Sequence, residues 1–345
     1  MKTFVKLISA VMAIAVVLSL AACSAGATGG GSTAESKVVR IGTPAADASQ
    51  LVENAGVAYG LGYLDEELEK VGYKAEYYGF GQGGTAINEA LVSNQLDLAF
   101  VGDIPSIIAK SNGLDIQIVA SLNTSAEMGI LAGKNSGIKS VADLKGKKVV
   151  VAFGTTTYVY MVNLLNANGM SINDVELIND IANGATLVAS GDADAVVSTG
   201  VGLYLFAAGG IGDIINTSKT DPSLSAQFFV YGNTKYISAN GEAIEAIIRA
   251  LIRSRDKAAE DPLAAQNAIV TDDRPLPIVQ QIYPAELGFD MFEPYLTSEV
   301  AEKYDSTVSI LLDGGILAKR IGAADIFNTE YLDAVYKELG RSIPS

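Results

Sequence analysis

The sequence has no histidine, no tryptophan and a single cysteine, Cys23, in 345 residues. Without an imidazole there is no His-dependent general base and no Ser-His or Cys-His nucleophile. One thiol rules out an intrachain disulfide, and with no His most transition-metal ligand sets disappear as well. Neither a metal nor a cofactor is expected. Basic residues are scarce too: 24 Lys and Arg against 39 Asp and Glu give a formal charge of −15, which excludes nucleic acid as a partner on electrostatic grounds. Carboxylate pairs of the glycosidase kind survive this filter, because spacing along a chain does not say which acids face each other.

The first 23 residues are informative. Lys2 and Lys6 precede an apolar stretch from Leu7 to Ala22 that is short for a membrane span and ends in small residues, the order of an export signal. Its end, Leu20-Ala21-Ala22-Cys23, resembles the lipobox of bacterial lipoproteins; an ordinary signal with a chance cysteine beside it is the plainer alternative. The lipobox resemblance implies removal of residues 1–22, a lipid on Cys23 and an exported chain held at the outer face of the cytoplasmic membrane, extracellular in a Gram-positive cell and otherwise on the periplasmic side. Residues 23–37, rich in Gly, Ser, Ala and Thr, read as a flexible tether. Loss of the two lysines with the leader takes the formal charge from −15 to −17.

Roughly 300 residues remain, a size at which chains divide into lobes more often than they enlarge one core. Apolar runs alternate with helical patterns, the mark of βαβ units. Strands are predicted at 38–44, 74–80, 96–102 and 116–122, and helices at 50–70, 85–94 and 104–112. A second series starts at "MGILAGK" and includes helices over 156–168, 184–190 and 202–208. In "EAIEAIIRALIRSRDKAAEDP", Ile244, Ile247, Ile248, Leu251 and Ile252 share one helical face, and Asp261-Pro262 closes the element. The segments "EALVSNQLDLAFVG" (89–102) and "ATLVASGDADAVVSTG" (185–200) echo each other, though any βαβ unit carries some of this pattern.

Two blocks, "FGQGGTAINEALVSNQLDLAFVGDIPSIIAKSNGLDIQIVASL" (80–122) and "GIKSVADLKGKKVVVAFGTTTYVYMVNLLNANGMSINDVELI" (137–178), resemble in order the nitrate/sulfonate/taurine-type substrate-binding proteins of ABC transporters, a group that includes pyrimidine-precursor binders. The resemblance implies a two-lobed α/β fold of the periplasmic-binding-protein type 2 class, with mixed sheets flanked by helices, a hinge and a central cleft. It also implies a monomer that takes a small-molecule solute, not a catalyst, and partners in an ABC permease and its ATPase. Lobe 1 is expected at 38–125 and 233–345 and lobe 2 at 126–232, with crossings near Leu122–Met128 and Phe229–Lys235. The chain departs from the group where many members carry a Trp-Asp-Pro-like turn: after Val197 it reads "STGVGLY".

In open α/β sheets ligands gather beyond the carboxyl ends of strands, where helices begin. Gly102-Asp103-Ile104-Pro105 is such a junction: Gly102 permits close approach, Asp103 either caps the helix or meets ligand, and Pro105 suits the first turn. Thr43 and Ala45 follow the first strand, Gly81, Gly83 and Gly84 the second. Thr155, Thr156 and Thr157 open a helix after Gly154, or else end a strand. Ser198 and Thr199 precede Gly200. None of these turns contains Lys or Arg, so amide and hydroxyl donors at helix N-termini would hold a small anion or polar solute. Of the aromatics near these turns, Phe228 is the candidate site residue, while Tyr158, Tyr160, Tyr204, Phe229 and Tyr231 divide between site and core. A rival reading takes Gly79-x-Gly81-x-x-Gly84 as a dinucleotide fingerprint, but it follows the second strand, not the first, in an exported chain. A third keeps the fold and makes the chain a sensory or adhesive surface lipoprotein.

Overall fold

Long apolar runs with glycine at their ends make short inner strands, and among the described residues ten of them form two five-stranded sheets. This computed structural model describes residues 37–344. The leader, Cys23 and the tether lie outside the described residues. The first sheet comprises β1 (Lys37–Thr43), β2 (Tyr73–Gly79), β3 (Leu98–Gly102), β4 (Ile116–Ala126) and the late strand β10 (Ala226–Asn233), in the order β2-β1-β3-β10-β4. The second holds β5 (Met128–Gly133), β6 (Lys148–Val150), β7 (Glu176–Ile178), β8 (Ala195–Thr199) and β9 (Gly212–Thr217), in the order β7-β6-β8-β5-β9.

The two sheets repeat one topology. In each, three strands run parallel and a fourth, entered just after the chain crosses over, lies antiparallel beside the third. β10 pairs with β3 through Phe228 opposite Gly102, and β5 pairs with β8 through Met128 opposite Thr199. The echo between 89–102 and 185–200 therefore joins equivalent places, because β3 and β8 occupy the same position in their sheets. Every residue of β3 is buried, as an inner strand covered on both faces requires.

The chain leaves the first sheet after Ala126 and enters the second at Met128, with Glu127 between them. The return crossing does not lie at Phe229–Lys235. β10 already belongs to the first sheet, where Phe229, Val230 and Tyr231 are fully buried, so the chain passes back within 218–225. We take lobe 1 as 37–126 with 226–344 and lobe 2 as 127–225. The single helix expected over 50–70 is two, Glu53–Gly60 and Tyr63–Lys70, broken where Gly62 takes φ 75°.

Lobe 1 is closed by the tail. The helix Gly241–Glu260 buries Ile244, Ile247, Ile248, Leu251 and Ile252 against the sheet-1 core, with none above 2% exposed. The segment around Phe327 bonds to Ile118 on both sides (Ile118 N–H to Ile326 O, Asn328 N–H to Ile118 O, each 2.9 Å) and so covers the free edge of β4. Leu251→Ala should lower the unfolding free energy by about 3 kcal/mol, the usual cost of emptying a tight apolar site, whereas Leu263→Ala, at a half-exposed position, should change it by less than about 0.5 kcal/mol. Urea titration of both variants checks this.

Candidate functional site

Four helices start where strands stop, and their first turns meet across one cleft. They are Gly84–Val92 and Asp103–Ser111 in lobe 1, and Thr156–Ala167 and Gly200–Ala208 in lobe 2. In none does the N-cap side chain bond back to the helix. Elsewhere such bonds occur, as at Asn233, Asp261 and Thr297. First-turn N–H groups without a cap need an outside acceptor and carry the positive end of the helix dipole.

The N-caps of all four helices line a cavity of about 910 Å3 whose wall includes Gly81, Gly83, Gly84, Gly102, Thr155, Thr156, Thr199 and Phe228, together with Thr85, Asn88 and Gln82. Its apolar part is made by Val92, Val101, Ile108, Leu114 and Ile181. Among the described residues Glu89 is the only ionisable side chain on this wall, and no Lys or Arg lines it. Phe228 packs partly on the cores of both lobes and forms a floor between them. The lobes touch at this depth: a Cβ on Gly102 would stand 3.1 Å from Thr156 Oγ1. A second contact closes the far side, where Val201, Tyr204 and Leu205 of lobe 2 join Ile278 and Ile282 of lobe 1 in one apolar cluster.

The glycines have separate reasons. A Cβ on Gly84 would fall inside the Pro105 ring, which locks the first turns of the two lobe-1 helices together. Asn88 continues that lock, donating to Pro105 O at 2.9 Å and accepting from Tyr231 Oη at 2.7 Å. Gly79 and Gly81 pass under the loop at Ala45 and Ala46, where a Cβ on Gly81 would lie 3.2 Å from that of Ala46. The fingerprint spacing is thus accounted for by chain packing, and Gly83, with φ 78°, by the turn itself.

The other predicted residues face elsewhere. Thr43 is wholly buried, Ile104 lies in the core, and Thr157 turns in to share a hydroxyl contact with Thr155 at 2.8 Å. Ala45 and Ser198 do not line the cavity; Ser198 Oγ lies against Gly202. Tyr160, Phe229 and Tyr231 are core, with the Tyr160 hydroxyl on Asn216 at 2.7 Å.

The sequence profile of the family described as "NMT1/THI5 like" matches residues 57–265, more than half of the chain. The chain belongs to the NMT1/THI5-like family. A putative aliphatic sulfonates-binding protein of Bacillus subtilis (strain 168) is 33% identical over 147 residues, 42% of each chain. The match thus spans about two fifths of that relative's length. A 4-amino-5-hydroxymethyl-2-methylpyrimidine phosphate synthase of Aspergillus parasiticus is 24% identical over 255 residues, 68% of this chain and 71% of the relative. Among solved structures, a putative periplasmic sulfonate-binding protein of a sulfonate ABC transporter from Methylobacillus flagellatus KT superposes with a TM-score of 0.76 at 25% identity, covering 90% of this chain and 99% of that one. The two-lobed architecture of this NMT1/THI5-like chain is thus that of periplasmic binding proteins.

Residues that sequence reasoning did not single out stand at the crossings. Glu127, the first crossing residue, is buried; it accepts from Tyr204 Oη at 2.8 Å and pairs with Lys219 at 3.1 Å. Its backbone carbonyl takes the Gly200 N–H at 2.9 Å, so this N-terminus has one donor fewer for a ligand. Glu53, with φ 53°, accepts from Asn123 Nδ2 at 2.7 Å and from Tyr283 Oη; burial raises its carboxyl above the usual range. The one advance signal was an acid, Glu127, between two strands otherwise free of charge.

Asp103 does not line the large cavity. It is 3% exposed and shares a pocket of about 20 Å3 with Thr156 and Lys303. Its Oδ1 accepts the Ile104 N–H at 2.8 Å and lies 3.5 Å from Thr156 Oγ1, at the outer limit of a hydrogen bond. Burial pushes its carboxyl up to about 7, against the pull of the Ile104 N–H and the Lys303 charge. Burial likewise brings Lys303 down to about 8. Because the folded-state value lies above the ordinary 3.8, the folded protein holds this proton more tightly, and Asp103 erodes stability as pH rises from about 4 to about 7, with a slope of at most about 1.4 kcal/mol for each tenfold fall in proton concentration. Asp103→Asn removes that loss. The melting temperature of the variant minus that of the natural chain should therefore climb steadily across this range. A constant difference would mean that Asp103 titrates as an exposed carboxylate.

Proposed function

We propose that this chain is the exported solute-binding component of an ABC importer, and that it captures a small, singly charged anion or related polar solute bearing an apolar substituent. The observation that carries the reading is the cleft itself: uncapped helix N-termini and threonine hydroxyls surround a cavity with no cationic side chain. Such donors hold one negative charge well without an ion pair, while a dianion would call for compensation that this wall does not offer. Sulfonate, nitrate and carboxylate head groups all fit the donor set. Val92, Ile108, Leu114 and Ile181 supply the place for an alkyl or aryl tail. The family membership and the names borne by the relatives support the same class.

Closure is the signal. The solute meets the lobe-1 turns at Gly83–Thr85 and Gly102, then the lobe-2 hydroxyls of Thr155, Thr156 and Thr199; only a ligand that touches both lobes favours the closed state. A permease with its ATPase would recognise that state, the monomeric protein being held at the outer face of the membrane by a lipid on Cys23. No helix of the described residues is long and apolar enough to cross a membrane. Capture of this kind needs no bond-making, and with no histidine in the sequence a His-dependent mechanism has no base. The pyrimidine phosphate synthase relative makes the catalytic alternative worth a direct assay.

A thermal-shift screen over alkanesulfonates, nitrate, aromatic carboxylates, pyrimidine precursors and amino acids should find one class that raises the melting temperature. Calorimetry with the hit should then show Thr156→Ala weakening it about tenfold, the cost of one hydrogen bond to a charged group. Gly102→Val should weaken it more, because its side chain meets Thr156 and props the lobes apart. Unchanged affinity in both variants, or turnover of the hit, would overturn the reading.

A further inference from the structure

Asp103 is a buried acid that the cleft does not use. It opens the helix Asp103–Ser111 directly after Gly102, yet its side chain turns behind the cleft into an enclosed pocket with room for about one water molecule. One wall of this pocket is lobe 2, at Thr156, Val159 and Tyr160. The facing wall is Lys303 of lobe 1, and residues 223–225 of the return crossing complete it. Parting the lobes therefore takes one side off the pocket and lets water reach the carboxyl, whereas closing them shuts water out.

In the closed pocket a charged carboxylate is poorly served. The Ile104 N–H is its one close donor, at 2.8 Å, since the Thr156 hydroxyl stands at 3.5 Å. Lys303 is the cation that acts on it, but the ammonium is held on Thr124 O (3.4 Å), Pro222 O (3.1 Å) and Ser225 Oγ. The other ionisable groups around the pocket do not compensate: Tyr160 of lobe 2 and Tyr304 beside Lys303 are phenols that burial holds above their ordinary range, and Glu299 and Asp221 act on Lys303. A neutral carboxyl suits the place better, because it can donate to Thr156 Oγ1 and needs no counter-charge.

We infer that closing of the lobes is coupled to uptake of one proton by Asp103, so that this chain closes, and grips an anionic solute, more readily as the pH falls. The solute half of this rests on the function proposed above; the closure half does not. The closed form binds the proton more tightly than the open one, so closure is most favourable below the open-form value, where both forms are protonated. The advantage is lost as pH rises toward the closed-form value of about 7, by at most about tenfold in the closure equilibrium for each pH unit. Lys303, brought down to about 8, keeps its charge across this range.

Spin labels on Val92→Cys and Ile181→Cys, exposed positions on opposite lobes of the large cleft, in the full chain with Cys23→Ser, report the lobe separation with no solute present. The ratio of closed to open populations should rise at least about threefold from about pH 8 to about pH 5. Asp103→Asn should hold the ratio constant, at or above the natural chain's acid value, and Glu53→Gln, at another buried carboxyl, should leave the rise in place. Calorimetry with butanesulfonate, which stays ionised throughout, in buffers of different ionisation heat at about pH 5.5 should show uptake of about half a proton or more, and none in Asp103→Asn. The inference is overturned if the separation does not respond to pH, if Asp103→Asn keeps the natural response, or if Glu53→Gln abolishes it. Butanesulfonate bound without proton uptake also overturns it and leaves the proposed function standing. Closure by acid in a chain that binds no sulfonate supports the coupling and counts against the proposed solute.

Discussion

A helix whose N-cap residue makes no side-chain bond to the first turn leaves its first N–H groups to find acceptors elsewhere. At Gly102–Asp103 and Thr199–Gly200 strand and helix are contiguous, and neither N-cap makes that bond, Gly102 having no side chain to make it with. The rest of the cleft follows from that constraint. Packing has already used some donors: Pro105 removes one at the chemical level, Asp103 takes the Ile104 N–H, and Glu127 takes that of Gly200. What remains is a sparse set of amide and hydroxyl donors around an apolar floor.

The topology explains how such a surface can open. The strands that exchange between lobes are neighbours in both sheets: β10 beside β4 in one, β5 beside β9 in the other. The two crossings therefore run side by side, and the lobes rotate about one short polar axis without breaking either sheet. Serine and threonine cluster there. Ser125 and Ser225 share a hydroxyl contact at 2.7 Å from opposite crossings, and Ser218 Oγ holds the Met128 N–H at 3.0 Å. Hydroxyls exchange partners with water at little cost, so this hinge bends without exposing core.

Much of this was legible along the chain. The βαβ alternation, the helical face of Ile244 to Ile252 and the strand-to-helix turns all rest on local periodicity, and the structure keeps them. The return crossing was not, because "AQFFVYGN" reads alike as a hinge strand or an inner strand, and only its pairing with β3 and β4 decides. At the site, sequence located the turns but not their facing. Asp103, at a helix start, points either into the cleft or behind it, and the small pocket it enters is walled by Thr156 and Lys303, both distant in sequence and absent from any local pattern. Thr157 and Ser198 were drawn in by adjacency to cavity residues, yet Thr157 turns in toward Thr155 and Ser198 Oγ lies against Gly202.

The charged groups at the crossings bear on the balance between open and closed forms. A solute can shift that balance only by its differential affinity for the two states, so an apo protein held too firmly closed would trap nothing and one held too firmly open would forfeit affinity. The apolar contact of Val201 and Leu205 with Ile278 and Ile282 favours closure. Asp103 pulls the other way, since its carboxyl is desolvated where Thr156 of the other lobe lies over it, and opening returns it to water. The Glu127–Lys219 pair adds a polar contact from the crossing to lobe 2, and Lys219 also reaches Gln281 O in lobe 1. Desolvation thus offsets apolar attraction at the same interface. With the two opposed, the few hydrogen bonds that the proposed solute would make across the cleft would be enough to decide which state prevails.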